Sequence, residues 1–260
     1  MFAKLLKHEI KSVAAVLGML CLGCLGIGVV GGVILRYLVY TPSWKIGDLL
    51  EALLPLILAF MFLALIVFAV GGWIYLCINF YKRKFTDEGY LTFTLPVSAW
   101  QIYLSSFLNF LLWYILIGLA VVGSLGCVLF IGFVDADIWN DLFVEADFAE
   151  FWEIIDEVGL FNSTYAFIQF ITGILVVMNC ITVGAVMAKK HKALAAFAAY
   201  YLVSMVTSVV STVVSVVTYA IDPIQVLHNM QLVNMLISCI LGLGGAVLSV
   251  QLMKKKLNLP

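Results

Sequence analysis

Six stretches of this chain, Val13–Leu35, Leu53–Ile78, Tyr103–Val134, Tyr165–Ala188, Ala193–Ile221 and Leu232–Met253, are almost without charge. Each is at least as long as the ~20 apolar residues that a helix needs to cross a bilayer core of about 30 Å. This pattern predicts an all-α, polytopic integral membrane protein with six transmembrane helices. Composition agrees with it: 64% of residues are hydrophobic and 11% charged, where soluble domains carry about 25% charged residues. The third and fifth stretches exceed the minimum and are expected to tilt or to run on into the loops. The six cysteines (Cys21, Cys24, Cys77, Cys127, Cys180 and Cys239) all lie inside apolar runs, which argues against a disulfide framework.

The basic residues orient the spans. Lys4, Lys7 and Lys11 precede the first, Lys82, Arg83 and Lys84 follow the second, Lys189, Lys190 and Lys192 follow the fourth, and Lys254, Lys255 and Lys256 follow the sixth. The positive-inside rule then predicts cytoplasmic termini and cytoplasmic second and fourth loops. The loop from Asp135 to Thr164, rich in Asp and Glu and without Lys or Arg, falls outside. Its interleaved acids and aromatics read as an amphipathic cap on the outer face. Residues 1–12, with Phe2, Leu5, Leu6 and Ile10 opposite Lys4, Lys7, His8 and Lys11, read as an interfacial amphipathic helix against anionic headgroups. Residues 13–260 then form the six-span domain. No cleaved leader is expected, because the first apolar run is too long for a signal core.

The loop of about 79–101 is the most polar stretch of the first half of the chain. It contains "KRKFTDEGYLTFTLP". A carboxylate pair, Asp87 and Glu88, is repelled by an anionic inner leaflet and is better accounted for by a basic protein surface opposite it. Pro96 breaks any helix there. Ser98, followed three residues later by Gln101, has the pattern of a capping box that starts the next helix. The loop is thus a compact protruding element between two spans.

"YKRKFTDEGYLTFTLPVSAWQ" resembles the loop between the second and third spans of bacterial ABC transporter permeases of the type-2 (exporter) class. The six spans and the basic amphipathic start fit the same class. The resemblance implies that this loop, with Phe85, Thr86, Asp87, Glu88, Gly89, Tyr90 and Leu91, holds a coupling helix that docks on a cytoplasmic ATPase. It also implies a second permease copy or paralogue, and the cell membrane as location. The chain departs from well-described members in carrying its long external loop between spans three and four.

The chain has no G-x-x-x-x-G-K-[ST] phosphate loop, so ATP and Mg are expected on a separate ATPase subunit. Cys21 and Cys24 have the spacing of a redox or zinc pair, but without polar partners or a second pair they read as small residues of a helix. No His pair has metal-site spacing, there is no catalytic constellation, and the chain is read as neither an enzyme nor a nucleic-acid binder. The function expected is a permease subunit of an ABC exporter. A secondary transporter is the alternative, weakened by the scarcity of ionisable residues in the spans. A non-transporting scaffold or sensor subunit is the third reading.

Polar residues inside the spans complete the picture. Ser204, Ser208, Ser211, Ser215 and Thr218 recur at spacings of four and three and share one helical face. They suit either close helix packing or a mildly polar wall of a transport path. Asn109 and Asn179 lie deep enough to need hydrogen-bond partners, with interhelical contact the first reading. Gly28, Gly32, Gly242, Gly244 and Gly245 read as packing glycines.

Overall fold

A computed structural model describes residues 2–40, 47–86, 89, 97–132, 159–188, 191–221 and 226–256. The acidic loop of 135–158, and Asp87, Glu88, Tyr90 and Leu91 in the second loop, lie outside the described residues. The protein is an all-α multi-pass membrane protein with six helices long and apolar enough to span a bilayer. They are α1 (Phe2–Tyr40), α2 (Gly47–Phe85), α3 (Ala99–Gly132), α4 (Leu160–Met187), α5 (Lys192–Ile221) and a sixth span. The sixth is built from α6 (Val226–Cys239), a π-helical segment (Ile240–Gly244) and α7 (Gly245–Lys256). Among the described residues there is no strand. This follows from the medium: without water, each backbone donor and acceptor has to be satisfied inside its own segment.

α1 is unbroken from Phe2, so residues 2–12 continue directly into the first span. α1, α2 and α3 have 39, 39 and 34 residues. At 1.5 Å per residue they are about 50–60 Å long, well beyond the hydrocarbon core. α3 shows why the sequence folds as it does. Ile102, Ser106, Asn109, Trp113, Ile117, Ala120, Ser124 and Val128, all buried, recur every three or four positions along one face of the helix, and Tyr103, Ser105 and Phe110 widen the buried face in its first turns.

Contacts divide the chain into two compact units. One comprises Lys7–Leu76 and Leu112–Glu153. Its centre is Cys24, Leu65 and Ala120, with a second cluster of Leu35, Met61 and Val128. α1 and α3 approach closely here through glycines. A Cβ added at Gly28 would lie 2.4 Å from the Ser124 carbonyl oxygen, and one at Gly32 would lie 2.9 Å from that of Cys127. Small residues let two backbones meet where lipid offers no hydrophobic drive for association. Gly28→Ala should therefore destabilise the protein by about 1–3 kcal/mol, the usual range for overpacking. Gly26→Ala, with nothing within 4 Å of its added methyl, should be neutral or gain up to about 1 kcal/mol of helix stability. Thermal unfolding of both variants in detergent checks the contrast.

The other unit comprises Met1–Leu6, Cys77–Leu111 and Ile154–Pro260. α4 is its central helix, in contact with α5, α6, the π segment and α7. Of its most apolar window 61% is buried, against 6% for α5, so α5 stands at the periphery and presents Met205, Val209, Val213 and Val216 outward. At one end of the pair the backbones nearly touch, because a Cβ on Gly184 would lie 2.3 Å from the Ala196 nitrogen. Thr172 and Thr182, both buried, donate to the carbonyls of Ile168 and Met178, each at 2.8 Å. Returning the hydroxyl proton to its own helix is how such residues enter an apolar interior.

Candidate functional site

Three constellations in the α4 unit carry the polar chemistry of the spans. The first flanks the second loop. α2 ends at Phe85, which is buried and meets Phe80 edge-on with ring centroids 5.9 Å apart. Phe80 in turn meets Phe110 of α3 edge-on at 5.8 Å. Thr86 donates its hydroxyl to the Lys82 carbonyl, and the Gly89 N–H donates to the Thr86 carbonyl at 2.7 Å. Gly89 sits so near the helix end that a Cβ there would fall 2.6 Å from the Lys84 carbonyl oxygen. On the far side the expected capping box is present. The Ser98 N–H donates to Gln101 Oε1 at 3.1 Å and the Gln101 N–H to Ser98 Oγ at 3.3 Å. Both ends of the loop are thus fixed to helices. The basic triplet is not a uniform anchor, since Lys82 is exposed and Lys84 is 3% exposed.

The second constellation is a buried knot around Asn179 of α4. Its Oδ1 accepts from the Tyr103 hydroxyl of α3 at 2.7 Å and from Ser249 Oγ of α7 at 3.0 Å. Its Nδ2 donates to the Gly242 carbonyl at 3.0 Å, with Leu241 O at 3.4 Å. Those two carbonyls belong to the π segment, where each shares its two lone pairs between the Gly245 N–H and the Asn179 amide. The expectation of an interhelical contact is met at Asn179. Asn109 is different: it is 5% exposed, and its Oδ1 has no hydrogen-bond partner.

The third constellation is a groove of about 400 Å³ among α4, α5 and the sixth span. Tyr165 and Gln169 come from α4, Ser204, Ser208 and Ser211 from α5, and Asn234 from α6. The serine stripe does not lie on a single environment. Ser204 and Ser208 are exposed, Ser211 is buried, and Ser215 and Thr218 are half-buried. The reason is geometric. Spacings of four and three average 3.5 residues, whereas an α-helix turns every 3.6, so the stripe winds by about 20° per heptad. It begins at the groove and ends against the packed face. Ser204, Ser215 and Thr218 donate to the carbonyls of Tyr201, Thr212 and Val214 at 2.8–2.9 Å. The groove's contributions from α4 and α6 escaped the sequence reading, although the signal was present. Tyr165 and Gln169, and Asn234 and Ser238, are polar pairs four residues apart in otherwise apolar helices.

Asn162 lies within α4, where its Oδ1 accepts from Gln231 Nε2 at 3.0 Å. Among the described residues no group of three or more His, Cys, Asp or Glu could hold a metal ion. Comparison with protein-family models, curated proteins and solved structures finds no match to this chain.

Proposed function

We propose that the chain is the membrane-spanning permease subunit of an ATP-binding-cassette exporter in the cell membrane, driven by a separate cytoplasmic ATPase and paired with a second permease copy or paralogue. The observation that carries this reading is the second loop. A carboxylate pair within "TDEGYLTFTLP" is held between two fixed ends, the Phe85 aromatic contact and the Ser98–Gln101 capping box. Ends so fixed can pass a push from a docked subunit into α2 and α3. Free connectors absorb such a push, whereas rigid elements transmit it. ATP and Mg bind the ATPase, and this chain supplies the path and the docking element.

The test is co-expression with a stand-alone phosphate-loop ATPase encoded beside this chain. Co-purification and ATP hydrolysis stimulated by the permease are expected. An ATPase that neither binds nor responds would remove the reading. The orientation has its own test on a cysteine-free background. A membrane-impermeant maleimide should reach Asp147→Cys in intact cells, and Lys190→Cys or Lys255→Cys only after permeabilisation. Labelling of either lysine position in intact cells would invert the topology.

A further inference from the structure

The sixth span divides at its π segment into two halves of unequal fit. In α7, Ala246, Ser249, Val250 and Met253 are at most 5% exposed, and this half packs on α4. In α6 no residue from 228 to 239 is fully buried. This half leans on α4 and α5 together, and it carries Asn234, whose Oδ1 is enclosed without a hydrogen-bond partner. Few buried side chains and an unsatisfied acceptor lower the local stability of α6 relative to α7.

The junction between the halves is built to bend. Ile240–Gly244 is wound as a π turn, and helices kink at π turns and at small residues such as glycine. A Cβ on Gly244 would meet nothing within 4 Å. Packing therefore does not require glycine there, and what it adds is backbone freedom. One side chain spans this junction. Asn179 donates to the Gly242 carbonyl inside the π segment at 3.0 Å and accepts from Ser249 of α7 at 3.0 Å. Tyr103, near the start of α3, donates to the same Asn179 oxygen at 2.7 Å. A single amide thus ties the bend to the docked half and to the helix that follows the second loop.

We propose that the π segment is a hinge: α7 stays docked on α4, α6 swings about Ile240–Gly244, and Asn179 is the clamp that holds the conformation seen here. Asn234 and Ser238 of α6 line the groove shared with α4 and α5, so a swing of α6 changes the width of that groove. Leaving this conformation breaks the Asn179 contact with the Gly242 carbonyl, so the clamp sets the population of the other state. Use of the hinge in export rests on the exporter reading, but the hinge itself does not.

The test uses the full chain alone in nanodiscs, so its failure leaves docking of an ATPase untouched. Two spin-label pairs are placed at exposed positions on a cysteine-free background. Leu236→Cys with Gln251→Cys reports the bend, and Phe167→Cys with Gln251→Cys reports the seat of α7 on α4. In the parent both pairs should give narrow distance distributions. Asn179→Leu should about double the width of the first distribution and leave the second unchanged. Adding Gly244→Ala, which stiffens the junction without a clash, should narrow the first again, a rescue that a merely destabilised fold would not show. If Asn179→Leu does not fold, Ser249→Ala, which frees the clamp from α7, takes its place. In the parent, hydrogen exchange should run about tenfold faster in α6 than over Ala246–Met253. An unchanged first distribution would overturn the proposal, as would equal broadening of both pairs, a failure of Gly244→Ala to rescue, or equal protection of the two halves.

Discussion

If the second loop docks an ATPase as proposed, reversing its charge, Asp87→Lys with Glu88→Lys, is expected to abolish co-purification of that ATPase and the stimulation of its ATP hydrolysis. The argument starts from electrostatics. Two carboxylates next to an anionic leaflet are repelled by it, and the basic triplet beside them already serves topology. A partner surface carrying Lys or Arg gives the pair a function. Truncating one side of a buried, hydrogen-bonded charge pair commonly costs about 2–5 kcal/mol, and reversal adds repulsion to that loss. Insertion should be unaffected, because added lysines reinforce a cytoplasmic loop. The flanking structure makes the effect specific. Phe85 and the Ser98–Gln101 box hold the flanking helix ends independently of the two carboxylates, so the variant keeps those ends and changes the charge between them. Lys82→Gln, at an exposed position, should bind the ATPase nearly as the parent does. Pull-down at matched expression measures all three proteins. Full binding by the reversed variant would reduce the loop to a connector.

The second large effect is expected at the Asn179 knot. Asn179→Leu keeps the branched shape and heavy-atom count but removes an acceptor shared by Tyr103 and Ser249 and a donor to the π segment. The two hydroxyls can turn back to carbonyls of their own helices. The Gly242 and Leu241 carbonyls still receive the Gly245 N–H. The loss is therefore less than four orphaned groups would give, and about 1–3 kcal/mol is expected. Tyr103→Phe removes a single interhelical donor, for which about 0.6 kcal/mol is typical in membranes. Two glycines of the sixth span sharpen the contrast. A Cβ on Gly245 would lie 2.3 Å from Asn179 Nδ2, which four contacts hold in place, whereas one on Gly242 would meet Leu175 and Thr172 at an ordinary 3.5 Å. Gly245→Ala should accordingly resemble Asn179→Leu, and Gly242→Ala should be near neutral. Equilibrium unfolding in mixed micelles separates the four variants. Equal stability of Gly245→Ala and Gly242→Ala would mean that the knot yields freely.

The features legible in the sequence were those that depend on neighbours along the chain. Six uncharged runs set six spans, because backbone polar groups in hydrocarbon leave the helix as the local solution. Ser98 and Gln101 announced a helix start, since a capping box closes within four residues. The serine spacing of α5 identified a face. What that face meets was not legible. Asn179 finds Tyr103, Ser249 and Gly242 across 76, 70 and 63 residues of chain, and no local pattern distinguishes it from Asn109, which is equally buried with a partnerless Oδ1. The run Gly242, Gly244 and Gly245 signalled close packing. Yet Gly245 is pressed against Asn179, while nothing lies within 4 Å of a Cβ on Gly244. The small mismatch between 3.5 and 3.6 residues per turn carried the serine stripe from groove to packed face, and only the placement of α4 and α6 decided where each began. Periodicity is set by the geometry of one helix, whereas the partner of a buried polar group is set by how several helices pack around it.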